Sequence, residues 1–270
     1  MNSVPWISFL YGGLAFAASF CGGWFILKLN PTHTRLQVAV SFVSGLMVGI
    51  ALLHFLPDAM EKLGSPERVG QWMLGGFLTM FFLQRFFHFH HHDVPEAPGD
   101  CCHDHHLAPA GKPDKGLSWL GTTVGLTLHS LFDGMALAAS VVAGAQGHIA
   151  WAGICVALAV ILHKPFDAMA ISTLTTINGK SKRFRHITNA LFSAATPAGM
   201  CFFYACGAHF VKNEALFLGS TLAFCAGNFL CIAGSDLLPE LQFHSHDRWK
   251  LSFALMTGVA LAVIIGLLGG

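Results

Sequence analysis

The chain alternates long apolar runs with short polar breaks. Eight runs are each long enough to cross a bilayer as a helix, at roughly 5–28, 35–58, 69–88, 117–142, 147–177, 187–209, 214–238 and 249–269, since a crossing takes about 20 residues. Gly, Ser, Thr and Pro recur inside these runs, as membrane helices permit, because neighbouring helices re-satisfy the backbone and small residues allow close packing. A soluble helical protein would show a polar face on every helix, and most of these runs have none. The pattern predicts an all-α polytopic membrane protein with eight transmembrane helices, in one domain spanning 1–270.

Polar residues break two of the runs in the same way. "HSLFDGMAL" (129–137) stands in the fourth and "HKPFDAMAI" (163–171) in the fifth. Both place His, Phe, Asp, Met and Ala at matching offsets. Residues four apart share a helix face, so His129 and Asp133 point one way, as do His163 and Asp167. Ionisable groups at membrane depth are costly and mark ion paths. Two imidazoles and two carboxylates on adjacent antiparallel helices make an N2O2 cage for a divalent cation. Zn²⁺ accepts that set, and Fe²⁺, Mn²⁺ and Cd²⁺ use similar ones. Two buried His–Asp pairs that merely lock helices together are the plainer reading, which the matched positions disfavour. Pro165, between His163 and Asp167, removes a backbone hydrogen bond at Ile161 and is expected to open room there. His54, near the outer end of the second run, is a candidate ligand at the entrance.

Consecutive runs cross in opposite directions, so the paired motifs form an inverted repeat, a hallmark of transporters with a midplane site. "LLHFLPDAM" in the second run and "SDLLPELQF" in the seventh repeat a Leu-Pro-acid step, also in opposite senses. Basic residues give the orientation. The loops after runs one, three, five and seven hold eleven: Lys28, Arg35, Arg85, Lys112, Lys115, Lys180, Lys182, Arg183, Arg185, Arg248 and Lys250. The loops after runs two, four and six hold three: Lys62, Arg68 and Lys212. The richer set belongs in the cytoplasm, which puts both termini outside it.

Composition narrows the class. Charged residues are 11% of the chain, against about 25% in soluble domains. A net charge of +1 offers nucleic acid no basic face. Six of the eight cysteines lie in apolar runs and read as buried thiols rather than disulfides. "MNSVPW" lacks the basic region of a cleaved signal peptide. The loop over 89–116 is different in kind. It and its preceding edge hold His88, His90, His91, His92, Cys101, Cys102, His103, His105 and His106 among Pro and Gly. It cannot bury a core, and its spacing matches no closed zinc motif, so it is expected to be a disordered cytoplasmic loop that binds metal loosely.

Together "HSLFDGMALAAS", "HKPFDAMAI", "LLHFLPDA" and the later "LLPE" resemble the signatures of ZIP (Zrt/Irt-like) metal transporters across the whole chain. The resemblance implies a 3+2+3 arrangement of eight spans and a homodimer that moves divalent metal toward the cytoplasm. It makes His129, Asp133, His163 and Asp167 the primary ligands, with Met47 or His54 contributing from the second span. Some members of that family hold a second metal, bridged by the two acids. Here the positions that would complete the second site are Ser130 and Lys164, and a sixth-span acid becomes Thr196. A lysine ammonium repels a cation yet pairs with the same carboxylates. The expected protein therefore carries one metal, with Lys164 standing in for the other. Zinc is the first substrate to test, the protein is not expected to be an enzyme, and a bacterial inner membrane suits its compact length. The competing function is an intramembrane zinc-dependent hydrolase, which would want a third histidine and an open water position. A metal sensor that moves nothing is a weaker third.

Overall fold

The computed structural model describes residues 4–29, 33–87, 115–147, 153–210, 213–243 and 248–269. Among them the chain is helical almost throughout, with no strand. The helices are α1 (Val4–Leu29), α2 (His33–Ile50), α3 (Leu56–Leu63), α4 (Pro66–Phe87), α5 (Lys115–Gln146), α6 (Ile154–Ile177), α7 (Lys182–Ser193), α8 (Ala195–Phe210), α9 (Glu214–Phe243) and α10 (Arg248–Gly269). They make eight rods, because a π-turn, Ala51–Phe55, joins α2 to α3 and α7 and α8 follow one another across Ala194. Seven rods are long and apolar enough to cross a membrane. The other is α4, which carries Glu67, Arg68 and Arg85 near its ends. Large apolar side chains stay bare on the outer faces, with Trp249 90% and Phe253 76% exposed. Surface of this kind is covered by lipid in a multi-pass protein.

Two prolines shape rods that the hydropathy pattern shows as plain. Pro57 has no N–H to offer and its ring crowds the carbonyl of Leu53. The ladder widens there into the π-turn, and the Leu56 N–H reaches back to the Ala51 carbonyl. Pro197 does the same to Ser193, where α7 ends. The sixth run, predicted as one span over 187–209, is therefore two helices. Of the cysteines expected to be buried, Cys155, Cys225 and Cys231 are, whereas Cys21 and Cys201 are exposed. An apolar run buries only one stripe of its helix in protein and leaves the rest for lipid.

The rods sort into two groups. In one, α1 packs on α6, α5 packs on α8, and α1 touches both α5 and α8. In the other, α2 packs on α10, α4 on α9, and α2 and α3 on α9. These groups hold rods one, four, five and six, and rods two, three, seven and eight. Exchanging one with six, two with seven, three with eight and four with five maps these contacts onto one another or onto themselves. The second–eighth pair becomes the seventh–third, and the first–fifth becomes the sixth–fourth. Every exchange swaps an odd rod for an even one, hence one direction of crossing for the other. That is the expected 3+2+3 inverted repeat.

Glycines seal the main pairs. A Cβ on Gly45 would strike the Leu255 carbonyl, and one on Gly258 the Phe42 carbonyl, joining α2 and α10 from both sides. Gly76 and Gly227 do this for α4 and α9, and Gly134 and Gly199 for α5 and α8. Gly22 of α1 lies against the Pro165 backbone of α6. Backbone contact without side chains is how membrane helices gain dispersion energy. Gly45→Val should therefore lower stability beyond the ~1–3 kcal/mol typical of overpacking, because backbone cannot move aside. Gly75→Ala, which would meet nothing within 4 Å, should be neutral or slightly stabilising. Thermal unfolding in detergent distinguishes the two.

Candidate metal centre

The fourth and fifth rods bring their matched residues together between the two groups. His129 and Asp133 sit one turn apart on α5, and His163 and Asp167 one turn apart on α6. One ligand atom from each lies within 4.8 Å of all the others. His129 Nε2 is 3.2 Å from Asp133 Oδ2 and 3.7 Å from Asp167 Oδ2. His163 Nε2 is 3.1 Å and 3.8 Å from the same two atoms. Tetrahedral zinc with N and O ligands has edges of about 3.4 Å, so these spacings fit it. All four residues are buried, and the two imidazoles stack at 5.6 Å between centroids.

The hydrogen bonds orient the His163 ring. His163 Nδ1 lies 2.8 Å from the Ala159 carbonyl. A carbonyl only accepts, so Nδ1 carries the ring proton, and a neutral ring then has its lone pair on Nε2. That lone pair faces the Asp133 carboxylate at 3.1 Å. Two acceptors so placed repel unless positive charge lies between them.

Part of that charge is already present. The Lys164 ammonium donates to Asp133 Oδ2, to Asp167 Oδ2 at 3.1 Å and to Ser130 Oγ at 2.9 Å. Lys164 is fully buried, as is Ser130. The lysine pairs with the same carboxylate oxygens that face the two histidines. Around the empty cage the formal sum is two carboxylates against one ammonium, a net −1, which attracts a divalent ion without trapping it behind two full charges.

A cavity opens beside the cage, lined by His129, His163 and Asp167. Met47 of α2 lines it and is 2% exposed. Leu126 precedes His129, Asp167 follows His163, and Val40 and Ser44 precede Met47 along their rods; all line this cavity. It therefore leads toward the end of the bundle where α5 begins and α6 ends. That end carries the basic-rich loops. The other end is shut near His54. Its Nε2 is 3.0 Å from the Ala262 carbonyl of α10 and 3.5 Å from Cys155 Sγ of α6. His54, in the π-turn, is thus not brought into the four-residue cage, while Met47 is beside it. The loop candidates His88, His90, His91, His92, Cys101, Cys102, His103, His105 and His106 lie outside the described residues.

The sequence reading passed over Asn228 of α9. It is 2% exposed, and among the described residues neither amide atom has a hydrogen-bond partner. The only signal was a lone amide inside an apolar run, which the absence of a repeated motif made easy to miss. His129 Nδ1 and the Thr196 hydroxyl are likewise buried without one.

Comparison with known proteins agrees with the geometry. A family model described as ZIP zinc transporter matches residues 4–119 and 116–266. The chain is 26% identical over 300 residues to zinc transporter ZIP13 of Rattus norvegicus, spanning 94% of this chain and 78% of that one. It is 25% identical over 280 residues to zinc transporter ZIP13 of Mus musculus, spanning 90% and 73%. Zinc transporter ZupT of Escherichia coli is 30% identical over 137 residues, about half of each chain at 50% and 49%.

Proposed function

Because the chain belongs to the ZIP zinc transporter family, we propose that it carries a divalent metal, zinc first, toward the cytoplasm through a single-metal site between α5 and α6. The observation that carries this reading is the buried cage itself: four ligand atoms within 4.8 Å of one another, with a lysine already seated on both carboxylates. His129 and His163 supply Nε2, Asp133 and Asp167 supply Oδ2, and Met47 offers a soft sulfur beside the path. Lys164 occupies the place of a second ion and keeps the two carboxylates from repelling each other when the cage is empty. Binding a divalent ion brings the cage to a net +1, and the neighbouring ammonium then favours its departure. Conduction needs such a balance between entry and release.

The direction rests on the basic loops. Eleven of the Lys and Arg residues lie toward the end into which the cavity opens, so that end faces the cytoplasm and both termini face away from it. In this state the ligands communicate with the cytoplasmic side, and contacts at His54 close the other. On this reading the histidines and cysteines of the loop over 89–116 receive departing metal. The likeness to an Escherichia coli transporter favours a bacterial inner membrane, and the family resemblance a homodimer.

Reconstituted vesicles test the reading. Zn²⁺ uptake should saturate, and His163→Ala should reduce it at least tenfold, because one of four ligands is gone and a lone carboxylate faces the gap. Fe²⁺, Mn²⁺ and Cd²⁺ run in the same assay rank the substrates. Turnover of lipid or peptide without metal flux would replace transport with hydrolysis. Metal binding without either would leave a sensor.

A further inference from the structure

Each imidazole of the cage has two nitrogens, and only one can face the metal. For His163 the other is accounted for, since Nδ1 donates to the Ala159 carbonyl. A metal-binding histidine nearly always has such an acceptor, which fixes its tautomer and aims its ring. For His129 the acceptor is missing. Its Nε2 faces the two carboxylates; with a metal bound to that nitrogen, Nδ1 bears the proton, yet Nδ1 is buried without a partner among the described residues. A buried donor left so is costly.

Asn228 has the complementary defect: a buried amide whose oxygen accepts from nothing described. The register of α9 against α5 sets the two side by side. Cys225 Sγ lies 3.9 Å from the Phe132 carbonyl. At the same level, the rings of Phe224 and Phe132 meet at 5.3 Å. Further along, Ile232 and Leu126 line the same cavity. The helices thus run in opposite senses, with 225 level with 132 and 232 level with 126. Asn228 comes three residues after Cys225, and His129 three before Phe132, so they share a level. Cys225, Asn228 and Ile232 also share a helix face, the one turned to α5.

The geometry points to Asn228 as the positioning residue for the His129 ligand. Its amide oxygen accepts the Nδ1–H of His129 through one water, and so holds Nε2 toward the cargo. The two groups come from different halves of the molecule, α9 from the group with α2, α4 and α10, and α5 from the other. The contact therefore sharpens the cage when these halves stand as they do here. This inference rests on the transport reading above, in which His129 is a ligand.

The test uses the full-length chain with the loop histidines and cysteines replaced by serine, so that only the intramembrane site binds Zn²⁺. Zn²⁺ affinity is measured by calorimetry in detergent, and uptake KM in vesicles, for Asn228→Leu, Asn228→Asp, His129→Ala and the Leu/Ala double variant. Asn228→Leu, which removes the acceptor at similar volume, should weaken Zn²⁺ binding roughly 10- to 100-fold and raise KM. Asn228→Asp keeps an acceptor and should stay within about threefold of the parent. In the double variant Asn228→Leu should add nothing to His129→Ala, since its effect passes through that ring. An unchanged Asn228→Leu, an Asn228→Asp as damaging as Leu, or an additive double variant overturns the inference. His129→Ala with intact Zn²⁺ binding overturns the transport site as well, whereas loss in His129→Ala beside a silent Asn228→Leu overturns this inference alone. Should Asn228→Leu fail to fold, ring-¹⁵N histidine NMR of the Asn228-containing chain loaded with ¹¹³Cd²⁺ decides. The His129 signal, assigned by its loss in His129→Gln, should couple to cadmium through Nε2 and keep its proton on Nδ1. Coupling through Nδ1 overturns it.

Discussion

Asp133→Asn should reduce metal uptake below detection while leaving the chain folded. Asp133 makes shorter contacts in the cage than Asp167 makes to the same three side chains. Its Oδ2 meets His129 Nε2 at 3.2 Å, His163 Nε2 at 3.1 Å and the Lys164 ammonium, and it is 1% exposed. Asparagine keeps the shape and an oxygen for Lys164 but removes the charge. The cage then holds one carboxylate against one ammonium, a formal sum of zero, and a divalent ion entering it would build a net +2 in a buried site. Breaking a buried ion pair costs about 3–5 kcal/mol when the partner is stranded. Here Asp167 and Ser130 still hold Lys164, so the stability loss should fall at or below the low end of that range. The expected signature is a modest fall in thermal unfolding temperature with a drop in Zn²⁺ affinity of roughly a hundredfold or more. Uptake within tenfold of the parent would remove Asp133 from the path.

Lys164 gives the second large effect, and two substitutions there should move in different directions. Lys164→Met removes a positive charge that stands against the bound cation. Even at an effective dielectric near 20, an ammonium about 5 Å from a divalent ion opposes it by several kcal/mol before relaxation. Zn²⁺ should therefore bind at least roughly tenfold tighter and leave more slowly, so uptake falls although affinity rises. Lys164→Glu goes further by placing a third carboxylate beside Asp133 and Asp167. With the loop ligands replaced by serine, calorimetry or equilibrium dialysis should then count two metals per chain instead of one. A single site in both chains would mean that Ser130 and its surroundings cannot complete the second set. Two sites in the unsubstituted chain would end the single-metal reading.

The cage was legible in sequence because its chemistry is periodic. A four-residue spacing in each of two adjacent runs places His129 with Asp133 and His163 with Asp167, and the helix does the rest. The eight rods were legible for a similar reason, since a crossing helix must be apolar along its whole length. Asn228 was not legible, because its meaning depends on which helix lies opposite, and hydropathy carries no information about neighbours. The break at Ala194 and the π-turn at Ala51–Phe55 were not read either. Pro197 and Pro57 were visible, but whether a proline kinks, widens or splits a helix depends on what packs against it. His54 shows the converse: an ionisable residue in the right rod, whose ring is held by Ala262 and Cys155 away from the cage.

The glycine seams fix what can slide. Gly45 with Gly258, Gly76 with Gly227 and Gly134 with Gly199 weld main chain to main chain, and each weld lies inside one set of four rods. No described glycine makes such a weld across the boundary between the sets. Along that boundary side chains of α5 and α6 face α2, α4 and α9. Each half is thus joined within itself by main-chain contact, and the four matched side chains of α5 and α6 stand at the surface where the halves meet.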